Sequence, residues 1–510
     1  MRTKKSIRNV SVMLITQLIT FALAFASRTV FIKTLGAEYL GFYGLFNNIL
    51  NLLSLAEMGM GTAIAYALYK PIAENNTEQI KSILAFYRKC YFSIGFFVIA
   101  IGCLMIPFLP HLIKGEITVN VNLNHVYLCF LANSAITYFF AHKRTIIDET
   151  QNKYLTTSID FAINVIVSIT QIIILLQFKD FMHFLFVRVL GTAINSSLIF
   201  IFANRKFSYI KEKAVALSSQ ARNKIWSNVS ILFFNKLGDA TVLGTSFLII
   251  SAFVGIEAVG VYSNYTLIVG TITVFCNLFI IGTDASIGNA IATLSKKEVY
   301  VIFRKIAFLI FCIGGLSAVC LVNLLNPFIE LWAGKDYLLS NSVVYAITAN
   351  FFFMQNRLLV KTFKTNAGVF RPDMYKPLVE MVFNLSLSIS LAHIYGVLGV
   401  LIGTLANTFF VCIWVEAFIV HKYVFASRIA GYLKMYAIQV LALMVSCALS
   451  LYINSFTDNF ILKCVVSISA SALVYLLFFF KTEEFKHLIK IITNFYITNH
   501  GTKKPLNEND

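Results

Sequence analysis

Charge is scarce in this sequence: only 13% of its 510 residues are Asp, Glu, Lys or Arg, and 58% are hydrophobic. A soluble chain of that length needs far more polar surface, so water is excluded as the solvent for most of it and the bilayer takes its place. The nine cysteines include no Cys-x-x-Cys pair and mostly sit in apolar stretches, where they read as small buried hydrophobes. The eight histidines are scattered near segment ends without metal-ligand spacing, so a metal or redox site is not expected. No cofactor is expected for the same reason. Paired carboxylates, a nucleophile triad and a phosphate-cradling glycine loop are all missing, and the longest outer connections run to about a dozen residues. That excludes the usual layout of a glycan polymerase, ligase or glycosyltransferase, and the chain is expected not to be an enzyme.

What is there in abundance is apolar sequence of spanning length. A helix of about 20 apolar residues crosses a hydrocarbon core of about 30 Å. Fourteen such segments are predicted, near 10–31, 40–66, 90–112, 122–141, 157–177, 181–203, 227–251, 260–283, 305–325, 338–356, 376–394, 397–420, 433–453 and 460–480. The first begins after Arg2, Lys4, Lys5 and Arg8 and ends in Ala22, Ala24 and Ala26, which imitates a cleavable leader. It is longer than a leader core, and the internal repeat requires it, so it is read as a span.

Net charge of +18 raises the question of nucleic acid, and placement answers it. With the N-terminus inside, 34 of the 42 Lys and Arg fall in cytoplasmic connections. Outer connections hold Lys33, Lys114, Lys179, Lys335 and Lys463, and Arg28, Arg188 and Lys236 lie within spans. This is the positive-inside asymmetry, which orients a multi-pass protein with both termini cytoplasmic and sets basic residues against anionic headgroups. Membrane lipids are the expected partners and nucleic acid is not.

The chain also repeats itself. Gly36-Ala37-Glu38-Tyr39-Leu40-Gly41-Phe42-Tyr43 recurs as Gly255-Ile256-Glu257-Ala258-Val259-Gly260-Val261-Tyr262, and Gly61-Thr62-Ala63-Ile64-Ala65 recurs as Gly288-Asn289-Ala290-Ile291-Ala292. Tyr87-Arg88-Lys89 recurs as Phe303-Arg304-Lys305; Asp160, Asn164 and Ser168 recur as Glu380, Asn384 and Ser388. Gly191-Thr192 with Asn195-Ser196 recurs as Gly403-Thr404 with Asn407-Thr408. Five matches in chain order at nearly one offset predict two six-span lobes, 1–214 and 215–425, with two further spans and a cytoplasmic tail in 426–510. Parallel repeats of an even number of spans are related by an axis along the membrane normal, with a path between them. The glycines near 36, 41, 255 and 260 are expected to serve turns at the outer surface.

An uncompensated charge at the bilayer centre costs roughly 2.5–3.5 kcal/mol on insertion scales, so polar residues within spans should share faces. Gln17, Thr20, Ser27 and Arg28 do so in the first segment, and Asn47, Asn51 and Ser54 in the second, with Glu57 at its flank. Asp160, Asn164, Ser168 and Gln171 form a stripe in the fifth, matched by Glu380, Asn384 and Ser388 in the eleventh. Asn228, Asn235, Asp239 and Ser246 line the seventh, with Lys236 three residues before Asp239. These stripes predict a wet cavity. The bland alternatives are interfacial placement of Asp160 and Glu380, a self-satisfied Lys236–Asp239 pair, and Arg28 reaching up to the headgroups.

The runs Phe25-Ala26-Ser27-Arg28-Thr29-Val30-Phe31, Leu35-Gly36-Ala37-Glu38-Tyr39-Leu40-Gly41 and Leu55-Ala56-Glu57-Met58-Gly59 resemble the start of bacterial polysaccharide transporters. Val254-Gly255-Ile256-Glu257-Ala258-Val259-Gly260-Val261-Tyr262-Ser263-Asn264-Tyr265 looks like the matching second-half string. This is the O-antigen and capsule flippase branch of the multidrug/oligosaccharidyl-lipid/polysaccharide (MOP) exporter superfamily, and the resemblance covers roughly residues 5–480. Relatives often carry an acid just before the second string, where this chain has Leu243-Gly244-Thr245-Ser246-Phe247, so that residue's role does not transfer.

The resemblance implies an inner-membrane flippase. Its substrate is an oligosaccharide on a polyprenyl pyrophosphate, moved outward by alternating access and driven by a proton or sodium gradient. It implies pathway partners such as a glycan polymerase and glycosyltransferases. On that footing Arg28, Lys236 and Arg188 are the candidate cations for the pyrophosphate. Gln17, Thr20, Asn47, Asn51 and Asn235 are the cavity amides and hydroxyls, and Asp239 and Glu57 the acids for ion coupling. A lipid II flippase and a drug or cation exporter of the same superfamily are the alternatives.

Overall fold

In hydrocarbon no water is available to the backbone, so each N–H and C=O must bond within its own segment, and the helix is the form that does this. The computed structural model describes the backbone of residues 2–500 except 58, 116, 120 and 370. It describes their side chains except those of 2–15, 56, 211, 228, 231, 232, 234–243, 285, 371, 491, 492 and 494–500. Among the described residues there is helix and no strand.

In chain order the helices are α1 (Arg2–Thr34), α2 (Ala37–Leu53), α3 (Met60–Ala73), α4 (Thr77–Met105), α5 (Leu123–Ile147), α6 (Lys153–Phe178), α7 (Phe181–Lys206) and α8 (Ser219–Phe253). They continue as α9 (Ile256–Thr293), α10 (Lys296–Trp332), α11 (Asn341–Asn366), α12 (Lys376–Tyr395), α13 (Val397–Asn407), α14 (Ile413–Ile419), α15 (Ile429–Asn454), α16 (Phe460–Phe479) and α17 (Glu483–His500). All fourteen apolar segments lie on these helices. Among the described residues, ten helical stretches are long and apolar enough to cross a membrane, and one of them, Leu123–Phe178, joins α5 and α6. The segments at 10–31, 40–66 and 227–251 are helical but fall outside those ten. The protein is an all-α, multi-pass membrane protein.

Local chemistry sets the helix ends. Asn76 accepts from the Gln79 amide at the start of α4, Asn122 from Asn124 and His125 at α5, and Asp180 from Met182 at α7. Each such cap satisfies donors that the first turn leaves without partners. Two breaks were not foreseen. The segment at 40–66 divides at a 3₁₀ turn, Ser54–Glu57, before Gly59 starts α3 in the left-handed region (φ 88°). Between α5 and α6, a π-helical turn over Asp148–Asn152 carries Gln151 at φ 62°.

The chain forms two compact units. The first comprises Met1–Thr266, Trp332–Leu339 and Met374–Thr404, and the second Leu267–Leu331, Ser340–Asp373 and Leu405–Asp510. Within the first, α1 packs on α6, α5 on α4 and α7, and α8 on α2 and α12. The repeated glycine strings meet here. Gly36 (φ 88°) and Gly255 (φ 138°) are turn glycines, as expected. Gly41 and Gly260 are not: a Cβ on Gly41 would collide with the Ile256 carbonyl, and one on Gly260 with the Ala37 carbonyl. They are contact glycines, placed where two helices approach backbone to backbone. The core of the second unit gathers around Phe303, fully buried, whose ring lies 4.8 Å from Phe425 and 5.1 Å from Phe363.

Candidate functional site

Several cations set within the helices are matched by carboxylates. Arg144 of α5 pairs with Asp160 of α6, and Asn195 of α7 donates to the same carboxylate at 2.9 Å. Lys376 and Glu380, one turn apart in α12, pair at 3.2 Å with both side chains buried. In the second unit Arg357 of α11 donates through Nε and Nη2 to Glu416 of α14 at 2.9 and 3.0 Å, and Lys364 pairs with Asp373.

Arg28 and Arg188 are held differently, on neutral oxygens. Arg28 of α1 donates from Nη1 to Ser263 Oγ at 3.2 Å. Ser263 gives its own proton to the Gly260 carbonyl at 2.7 Å, so its oxygen is turned to accept. Arg188 of α7 donates from Nη2 to Asn47 Oδ1 at 3.0 Å, and the Asn47 amide is aimed by its bond to the Tyr43 carbonyl at 2.7 Å. The Arg188 guanidinium lies 5.0 Å from the Tyr43 ring centre and 5.5 Å from that of Phe130. Its Nη1 is buried without a hydrogen-bond partner. Tyr43 also lies within electrostatic reach of Arg28. Each of the two guanidinium groups is thus anchored on a neutral oxygen, Arg188 also lies over Tyr43, and among the described residues neither has a carboxylate partner.

The other sequence candidates divide. Asn47 belongs to this cluster. Gln17 is half-buried on α1, and Thr20 turns its hydroxyl onto the Thr16 carbonyl at 2.7 Å. Asn51 is exposed near the end of α2. Glu57 lies within electrostatic reach of Tyr91 and Tyr87. The side chains of Asn235, Lys236 and Asp239 lie outside the described residues.

The stripe on α12 does not line a cavity, contrary to the sequence reading. Glu380, Asn384 and Ser388 are 2%, 1% and 1% exposed. Asn384 donates to Thr404 Oγ1 at 3.3 Å and Ser388 to the Val400 carbonyl at 3.3 Å, while Gly403 leaves no room beside Ser388. Small and polar residues here hold two helices together, as they do between membrane helices generally. Sequence reasoning missed three members of the polar interior. Tyr43 and Ser263 lay in strings already noticed as repeats or resemblances. Glu416 was visible as a lone acid in an apolar segment.

The fold is shared with known structures. The chain superposes on a structure described as the lipid II flippase MurJ in an inward closed conformation, with a TM-score of 0.64 over 91% of this chain and 98% of that one, at 15% identity. It also superposes on an inward-facing multidrug resistance MATE family transporter of the MOP superfamily, with a TM-score of 0.57 over 81% and 98%, at 14% identity. The MATE multidrug transporter DinF-BH gives 0.55 over 82% and 96%, at 14% identity. No protein-family model matches the chain, and no curated protein matches it. At these identities the likeness establishes a shared fold and nothing beyond it.

Proposed function

We propose that this protein is a flippase that carries an oligosaccharide linked to a polyprenyl pyrophosphate from the cytoplasmic to the outer leaflet of a bacterial inner membrane by alternating access. The observation that carries this reading is the pair Arg28 and Arg188. Cations among apolar helices are costly, and this protein matches several of them with acids. These two are anchored on neutral oxygens instead, which leaves their charge available to an anionic ligand. Arginine suits a pyrophosphate because its planar fork matches phosphate oxygens. Lys236 is proposed as a third cation.

Neutral groups such as Asn47 and Gln17 can replace water around the sugar while the polyprenyl chain stays in lipid. Binding must favour one arrangement of the transporter over the other, since only differential affinity shifts a population. Glu57 and Asp239 are the proposed acids for coupling to a proton or sodium gradient. A lipid II flippase is the second reading, favoured by the extent of the likeness to MurJ.

The experiment is transport in proteoliposomes, with the glycan of a lipid-linked oligosaccharide scored by its exposure to an external sugar-modifying enzyme. Exposure that depends on the protein and is lost in Arg28→Ala and Arg188→Ala supports the reading. Unimpaired exposure with both variants removes it, and exposure of lipid II alone selects the second.

A further inference from the structure

The first unit contains a cavity of about 1150 Å³ lined by α4, α5 and α7, with residues 210–214 along one side. Its polar end carries Lys81, Arg88, Lys89 and Lys143, and its wall includes Phe92, Phe96, Phe139 and Phe200. On α4, Arg88, Phe92 and Phe96 follow at intervals of four, so one helix face passes from charge to aromatic surface. Lys81 is satisfied by Glu78 and by Glu212. Arg88 and Lys89 are exposed, and neither pairs with an acidic side chain among the described residues. Lys143 donates to the neutral Asn204 Oδ1 at 2.7 Å. His142, 6% exposed, also lines the cavity, and its Nδ1 has no hydrogen-bond partner.

The internal repeat supplies a comparison. Arg88 and Phe92 correspond to Arg304 and Phe308 at the same offset. In the second copy Arg304 Nη2 meets Glu484 Oε1 at 2.6 Å. The Phe308 ring lies 5.2 Å from that of Phe479 and 6.3 Å from that of Phe485. There the chain itself places a carboxylate on the arginine and apolar rings on the phenylalanine. In the first copy Arg88 has no acid among the described residues, and Phe96 is 63% exposed along the wall.

We infer that this cavity binds a membrane phospholipid with an anionic phosphate headgroup, the phosphate at Arg88 and Lys89 and an acyl chain along Phe92 and Phe96. Basic pockets between membrane helices recognise such headgroups, and the guanidinium fork fits a phosphate. On the topology expected from the sequence, Arg88 and Lys89 belong to a cytoplasmic connection, the side that faces anionic lipid under the positive-inside rule. This lipid is a resident ligand and not the transported one, so the inference stands apart from the flippase reading.

The test uses the full chain purified in detergent and titrated with phosphatidylglycerol, phosphatidylcholine and a polyprenyl diphosphate, with bound lipid counted by native mass spectrometry. Phosphatidylglycerol is expected to bind in preference to phosphatidylcholine. Its affinity should fall roughly 30-fold in Arg88→Ala/Lys89→Ala, from the usual worth of two basic residues at an anionic surface. Arg88→Lys should keep most of the binding. The melting temperature of the double variant should not change, because both side chains are exposed. Equal phosphatidylglycerol binding by the wild type and the double variant overturns the inference. So does displacement of the lipid by inorganic phosphate, or a double variant that loses only the polyprenyl diphosphate.

Discussion

Gly41 and Gly260 are reciprocal partners: each occupies the place where a side chain would strike the backbone of the other's helix, at Ile256 and Ala37 respectively. Residues 37 and 41 are offset from 256 and 260 by the same 219 positions, so the two contacts are copies of one another. The repeat is thus legible in the packing of the first unit as well as in the sequence.

Gly41→Ala and Gly260→Ala should each lower stability by about 1–3 kcal/mol, the usual cost of overpacking a close contact. Because the two share one crossing, the double variant should cost less than the sum. Gly270→Ala, which has open space at its Cβ, is the control. Thermal unfolding in detergent checks all four; equal melting of Gly41→Ala and Gly270→Ala refutes the close contact.

Arg28→Met and Arg188→Met should abolish glycan export while leaving the melting temperature unchanged or raised. Removing a cation held only on a neutral oxygen among the described residues relieves a desolvation cost. Proteoliposome transport and a melting curve on the same preparation check this. A large fall in melting temperature would assign the arginines to structure instead.

The Arg357–Glu416 pair should behave in the opposite way. Arg357→Met alone strands a carboxylate that is 1% exposed and should cost about 3–5 kcal/mol, as should Glu416→Leu. The double variant Arg357→Met/Glu416→Leu should recover most of that loss, read as a double-mutant cycle in melting temperature. Lys361, 3.9 Å from Glu416, is expected to make Glu416→Leu the costlier single change.

Glu57→Gln tests ion coupling. The amide keeps the size of the carboxylate and its polar oxygen, so the protein should fold and reach the membrane normally. If Glu57 holds the coupling cation, transport by the variant should no longer respond to an imposed proton or sodium gradient. An undiminished response in proteoliposomes would leave that role to Asp239.

Much of the architecture was legible because its cause is local. Apolar runs of spanning length became helices, while the side-chain caps at Asn76, Asn122 and Asp180 that start three of them emerged only in the structure. The candidate site was legible only in its charged members. Arg28 and Arg188 stood out as cations within spans, but Ser263 and Tyr43, which complete their surroundings, are neutral residues whose position only folding reveals. The stripe of Glu380, Asn384 and Ser388 was misread because periodicity shows that polar residues share a face without showing what that face meets. Arg357 was counted among the cytoplasmic basic residues, and its partner stands 59 residues away, beyond any spacing rule.

That long separation also bears on how the protein is made. The stretch Asn341–Asn366 is the least apolar of the ten long enough to cross a membrane, and it carries Arg357, Lys361 and Lys364. When α11 first leaves the ribosome, Glu416 has not been synthesised, and a guanidinium in bare lipid has no counter-ion. The helix can settle at its final depth only after α14 emerges, which makes its insertion a deferred event that depends on a segment downstream.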